Sequence, residues 1–311
     1  MTADTKANRT ARKSFSRFRN NIPYHLMIIP GLIIIVIYNY LPMGGLVMAF
    51  QNYKATLGMF RSQWVGLLNF KRLFMYPDFG QIIYNTLFIA ISKLLLGLIV
   101  PIGFALLLNE IKSSRFAKTV QTITYLPHFL SWVILGGIFL NILSPSVGIV
   151  NRVIEALGFN SVYFLGDPGT FPWTIIFTDV WKSFGYGSIV YLAALTGIDV
   201  SLYEAAAIDG AGKIRQLLTV TLPGIAPIIF VMAVLSLGNV LNAGFDQIFN
   251  LYSPQVYSTG DILDTYIYRI GLEQAQYSLS TAVGLFKSVI SVILISISYF
   301  LASKYGNYQI F

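Results

Sequence analysis

The sequence predicts an all-helical protein that crosses a membrane six times, and three observations predict it. First, 55% of its 311 residues are hydrophobic and only 11% are charged, with a mean hydropathy of +0.67. Ordinary soluble domains carry about 25% charge, and a globule with so thin a polar coat would expose large apolar patches and aggregate. Second, the apolar residues gather into six runs, at about 25–50, 82–108, 120–143, 171–195, 225–245 and 281–302. Each meets the roughly 20 residues that a helix needs to cross a hydrocarbon core of about 30 Å. Third, the basic residues are unevenly placed. With the N-terminus inside, twelve Lys and Arg fall in inside segments and six in outside loops, which predicts that both termini are cytoplasmic.

Each element has its own justification. Residues 1–24 form a basic cytoplasmic tail carrying Arg9, Arg12, Lys13, Arg17 and Arg19, and 25–311 form one membrane domain. The tail imitates the lead-in of a signal peptide. The apolar run after it is too long, lacks a small-residue cleavage site, and precedes five more runs. Pro30, Pro42, Pro101, Pro127, Asn239 and Asn242 interrupt the spans, which a bundle tolerates when neighbouring helices satisfy the freed backbone groups. The outer loop at 51–81 holds WVGLLNFKRLF, suited to a membrane interface. In SVGIVNRVIEALGF (146–159), Val147, Val150, Ile154 and Leu157 fall on one helical face, and that helix is expected to lie across the outer mouth. DPGTFPW (167–173) reads as a turn into the fourth span.

Composition also excludes chemistry. No cysteine means no disulfide, thiol nucleophile or Cys-based metal site. Two isolated histidines, His25 and His128, without a carboxylate companion make no metal site. The net charge of +8 follows topology rather than nucleic acid, and no partner of that kind is expected. No G-x-x-x-x-G-K-[ST] run is present, so the chain has no phosphate cradle of its own.

The segment richest in information is LYEAAAIDGAGKIRQLLTVTLPGIAP (202–227), between the fourth and fifth spans. Strong helix formers give way to Gly210 and Gly212. KIRQLLTV then resumes helical spacing, with Ile214, Leu217 and Leu218 on one face, and Pro223 is expected to end it. The result is a two-helix knob under the membrane, with the apolar ridge and few charges of a docking surface.

Glu204-Ala205-Ala206, three residues, Gly210, nine residues, Val220, one residue, Leu222-Pro223 resembles the EAA loop of binding-protein-dependent ABC importer permeases, with Val220 replacing the family's Ile. EAAAIDGA and the approach WKSFGYGSIVYLAALTGID resemble the carbohydrate-uptake, oligosaccharide and polysaccharide branch. PYHLMIIPGL and WVGLLNF extend the likeness over nearly the whole chain. The resemblance implies a maltose-importer-like, type I ABC importer permease fold in the bacterial cytoplasmic membrane. It implies a second homologous permease, a dimer of ATP-binding subunits holding ATP and Mg, and an extracytoplasmic solute-binding protein that delivers a saccharide. Glu204, Ala205, Ala206, Asp209, Gly210, Leu217, Leu222 and Pro223 would then couple the chain to the ATPase, with no catalytic residue, cofactor or metal in the chain itself.

Polar groups inside spans mark pathways or structural pairs. Asp179 and Lys182, three apart on one helix, are expected to neutralise one another. Lys93 and Lys287 lack such a neighbour and must face a partner, a cavity or an interface. A cationic cavity would suit an acidic, uronate-containing saccharide. Trp181, Lys182, Asn239, Asn242, Asp246 and Lys287 are the pathway candidates, with Tyr186 and Tyr191 beside them. Helix packing is the competing reading for all of these. Three other functions compete. An ion-coupled transporter typically carries internal repeats, and none is evident. A membrane enzyme needs a catalytic constellation that the outer carboxylates do not form. An ABC permease for peptides or amino acids would share the EAA loop.

Overall fold

The computed structural model describes residues 21–238 and 240–305; residues 1–20 with their six arginines and lysines, the last six residues and Asn239 lie outside them. Four helices are each long and apolar enough to cross a membrane: Pro23–Phe50, Phe79–Asn109, Lys213–Leu237 and Tyr277–Phe300. Two bent pairs bring the count to six when each pair is one span: Ser114–Phe129 with Trp132–Ile142, and Phe171–Thr196 with Val200–Ile208. After the first span a two-residue antiparallel ladder pairs Gln51 with Trp64 and Asn52 with Gln63.

Two spans depart from the expectation. The third is not one straight helix but bends by 104°. Pro127 deprives the chain of a donor, a 3₁₀ turn occupies Leu126–Phe129, and Leu130 and Ser131 are extended. The Ser131 hydroxyl then caps the outer helix by accepting from the Ile134 N–H at 3.4 Å. The fifth span is displaced toward the knob, because Pro223 does not end the helix. A π-turn at Leu217–Thr221 precedes it, with the Leu222 N–H donating to Leu217 O. Pro223 therefore sits in the first turn of Leu222–Leu237, where its missing N–H does no harm. The helix ends before 245, since 240–244 is not helical ahead of the short helix Phe245–Leu251.

Spans two and four form the central pair and pack along most of their length. Their outer halves meet Ile248, Leu251, Val256 and Ile262 in one apolar cluster, which contains Ile89, Phe171, Ile175 and Ile176. Their inner halves meet the fifth span through Ala105, Tyr191, Leu195 and Ile225. Leu73, Phe79, Leu263, Tyr266 and Val283 join the outer loop to the sixth span. The first span differs: residues 23–44 are all exposed, and contact with the body begins only at its outer end.

Span three approaches span four so closely that a Cβ added at Gly185 would lie 2.3 Å from the Thr124 carbonyl oxygen. A backbone atom cannot move aside as a flexible side chain can. Gly185→Ala is therefore expected to cost about 1–3 kcal/mol by overpacking, read as a lowered thermal midpoint of the purified protein. An unchanged midpoint would show that the two helices separate freely.

Candidate functional site

The knob is built by three local devices. Asp199 caps the helix Val200–Ile208 by accepting from the Ser201 N–H at 2.9 Å, and that hydrogen bond holds its carboxyl below the usual range. Gly210 turns the chain in the left-handed region, at φ +76°, which a glycine adopts without steric cost. The second helix starts at Lys213 and runs without interruption into span five. The Tyr203 and Thr221 hydroxyls, 3.0 Å apart, tie the two helices together. An exposed ion pair from Lys213 to Glu110 links the knob to the end of span two. Such a pair contributes at most about 1 kcal/mol.

The knob faces outward with the wrong polarity for a free surface. Val200, Leu202, Ile208, Ile214 and Leu218 are exposed, Ile208 at 87%. Glu204, Ala205, Asp209, Gly210 and Pro223 are exposed beside them, while Ala206, Leu217 and Leu222 are half-buried. The expected face through Ile214, Leu217 and Leu218 is thus open at Ile214 and Leu218 and turned inward at Leu217.

In the membrane the expected Asp179–Lys182 pair does not form. Asp179 instead pairs with Lys93 of span two, at 3.7 Å. The Lys93 ammonium also donates to Ala243 O at 2.7 Å and to Gln247 Oε1 at 2.5 Å. Gln247 in turn donates to Ile175 O and Thr178 Oγ1, both at 2.8 Å. Three-dimensional proximity overrides helical spacing here: a buried cation collects the acceptors freed where span five unwinds. Sequence reasoning missed Gln247, which carries no local signal. Lys93 did carry one, as a lone charge in an apolar run.

Among the described residues, Lys182 is left without a carboxylate. Its ammonium donates to His128 O at 3.1 Å and lies 5.4 Å from the centre of the Trp132 ring. His128 stacks on Tyr186 with ring centres 4.0 Å apart. The break in span three therefore presents a cation among aromatic faces, and His128 sits at this break. Trp181 is half-exposed and packs edge-on against Phe139. Tyr191 is buried in the inner core and lines no path.

Three cavities follow one another. The largest, about 680 Å³, is lined by Asn242, Phe245, Tyr268, Tyr277, Thr281 and Lys287 among others. Lys287 there pairs with Asp264 at 2.5 Å. Asn242 also lines a pocket of about 340 Å³ with Lys93, Asp179 and Ser236. Tyr277 also lines a pocket of about 270 Å³ on the outer side, with Arg72, Asn52 and Gln276. Asp246 is exposed on the short helix beyond, and Asn239 lies outside the described residues. Among the described residues no cluster of His, Asp and Glu could hold a metal ion.

Comparison with known proteins places these features. A family model described as the binding-protein-dependent transport system inner membrane component matches residues 97–306. Protein LplB of Bacillus subtilis (strain 168) is 41% identical over 287 residues, covering 92% of this chain and 90% of its own. The polygalacturonan/rhamnogalacturonan transport system permease protein YteP of the same strain is 42% identical over 287 residues, covering 92% and 89%. Among solved structures, a bacterial ABC transporter involved in the import of the acidic polysaccharide alginate contains a chain that superposes with a TM-score of 0.87. It is 38% identical, with 94% of this chain and 99% of that one covered. The bacterial alginate ABC transporter in complex with an alginate pentasaccharide-bound periplasmic protein matches equally, at TM-score 0.87 and 38% identity over 95% and 99%.

Proposed function

The chain belongs to the binding-protein-dependent transport system inner membrane components, and from that premise we propose how this permease works and what it carries. It is a permease subunit of an ABC importer for saccharides. A binding protein delivers the saccharide from outside. ATP is hydrolysed by separate ATP-binding subunits, because this chain lacks the loop that cradles phosphates. Those subunits seat on the knob, with the N- and C-termini of the chain on the same cytoplasmic side.

The observation that carries this reading is the exposed apolar ridge of the knob, from Val200 to Leu218, on a turn fixed by Gly210. Five exposed apolar side chains in a water-facing loop call for a protein partner. Closure of the ATPase dimer would push on the ridge. The second knob helix is continuous with span five, so the push is transmitted as a rigid-body movement of that span. The all-round exposure of residues 23–44 supports a second permease, against which the first span would lean.

An acidic saccharide is the substrate class that fits best. YteP is named for polygalacturonan and rhamnogalacturonan transport, and the matching structures concern alginate import. Lys182 adds a cation without a carboxylate partner beside Trp132 and Tyr186. Aromatic faces cover sugar C–H surfaces while the ammonium meets a carboxylate.

The test is a mild-detergent pull-down of the tagged chain from its native membrane, with partners identified by mass spectrometry. Recovery of an ATP-binding subunit and a second six-span permease is expected. ATP hydrolysis by that complex is expected to rise with an oligouronate-loaded binding protein. Recovery of the chain alone, in detergent that preserves known complexes, would overturn the reading and favour an ion-coupled transporter. Stimulation by peptides in place of saccharides would overturn the substrate class.

A further inference from the structure

The outer loop at 51–81 carries Lys54, Arg61, Lys71 and Arg72 against a single carboxylate, Asp78. An outside loop with four cations runs against the bias that orients the protein. None of the four makes an ion pair among the described residues. Of the four, Arg72 lines the pocket with Asn52, Asn69, Gln276 and Tyr277.

That pocket is held open by its own contacts. The Tyr53 N–H donates to Ser278 Oγ at 2.8 Å, and the rings of Tyr53 and Tyr277 meet edge to face at 5.9 Å. The Asn69 amide is committed to Ala49 O and Gln51 O. At the rim, Ala275 has φ +54°, the only positive φ of a non-glycine residue among those described. Strain of this kind persists where the surroundings impose it, often at ligand sites.

Tyr277 forms a common wall between the outer pocket and the large cavity. From Tyr277 the cavity follows the sixth span to Ser291, a drop of about 21 Å at 1.5 Å per residue. Its lining suits a sugar: ring faces from Phe245 and Tyr268, and hydroxyls from Ser280, Thr281 and Ser291. Its one cation, Lys287, is neutralised by Asp264. At the lower end Asn242 joins the pocket of Asp179 and Lys93, where the charges are again balanced. Along this route a cation without a counter-ion stands at the mouth, and balanced pairs stand below it.

We propose that this groove, from Arg72 over Tyr277 to Asn242, is an approach path for a short oligouronate, and that Arg72 reads the carboxylate at its mouth. The proposal rests on the saccharide-importer reading. Charge is selected at the entrance, where an exposed guanidinium can form a two-pronged contact with a carboxylate. Below it the neutral lining accepts hydroxyls and ring faces without trapping the anion. Along this groove, selectivity for acidic sugars therefore resides at Arg72 and not at Lys287, ahead of any contact with Lys182.

The experiment uses the whole complex in nanodiscs. Binding of fluorescein-labelled trigalacturonate is compared with that of its fully methyl-esterified form, which keeps the rings and removes the charge. Arg72→Gln is expected to lower the acid-to-ester affinity ratio by about tenfold, the size of one charge-assisted hydrogen bond. Arg72→Lys should restore part of the ratio, and Tyr277→Ala should weaken both forms alike. Arg61→Gln, which neither lines the pocket nor adjoins a residue that does, should keep the wild-type ratio. If the wild-type complex binds trigalacturonate but Arg72→Gln leaves the ratio unchanged, the groove assignment falls alone. If the wild type binds neither form, nor an alginate pentasaccharide, the saccharide reading falls and this proposal with it. If Arg72→Gln instead strips the second permease from the complex, the groove seats that subunit and the proposal is overturned.

Discussion

Gly210→Val is expected to leave the chain in the membrane and to abolish coupling, lowering both uptake and substrate-stimulated ATP hydrolysis at least tenfold. The reason is conformational. A Cβ at position 210 meets nothing within 4 Å, so no clash with a neighbour opposes the substitution. The backbone does, because φ is +76°. A residue with a side chain held in this region costs about 1–3 kcal/mol, and a β-branched one lies at the unfavourable end. The turn at 209–212 relaxes to escape that strain. The helix Val200–Ile208 then shifts against the one that starts at Lys213, and the Tyr203–Thr221 hydrogen bond between them stretches. The apolar ridge loses its shape while the six spans, which do not depend on the turn, keep theirs. Gly210→Asn is the matching control, since asparagine tolerates the left-handed conformation, and it should retain most of the activity. Full stimulated ATPase activity in purified Gly210→Val complex would refute the coupling role of the knob.

The knob was legible because its determinants are local. Asp199 as a cap, helix formers through 200–208 and glycine at the turn are all decided within about a dozen residues. Hydropathy likewise found the six apolar runs, but it misplaced the fifth. Lys213, Arg215 and Gln216 break an apolar window without breaking a helix, and Pro223 reads as a stop unless the π-turn before it is known. The bend in the third span had its signs in Pro127 and Ser131. Its angle depends on how Thr124 and His128 pack against Gly185 and Tyr186, which no local pattern encodes. The polar network was the least legible part. Asp179 and Lys182 share a helical face, yet Asp179 finds Lys93 across a helix pair and Lys182 finds a carbonyl on the bent span. Helical spacing gives the neighbours within one element, whereas the lowest cost of burial is settled between elements.

Lys93→Met is expected to destabilise the protein by about 1–3 kcal/mol, as the loss of a donor to buried acceptors does. The Lys93 side chain is only 9% exposed, and its ammonium serves three acceptors on two other segments. Without it, Asp179 loses its counter-ion and the Ala243 carbonyl loses its donor. Gln247 keeps its own donations to Ile175 and Thr178, so the short helix Phe245–Leu251 stays anchored on that side. The unwound stretch before it does not, and span five loses the fixed outer end against which the knob would work. Asp179→Asn should be milder, because Lys93 retains Ala243 and Gln247 as acceptors. The double variant Lys93→Met/Asp179→Leu should recover part of the loss, since it removes both charges together. Yield and thermal midpoint report stability, and uptake per folded complex reports function. A substrate-binding lysine would show the opposite pattern, with Lys93→Met folding normally and its uptake failing. That result would turn Lys93 from the pin of a broken helix into part of the sugar path. It would also leave Asp179, whose side chain is 30% exposed, to hold its charge beside the pathway without a counter-ion.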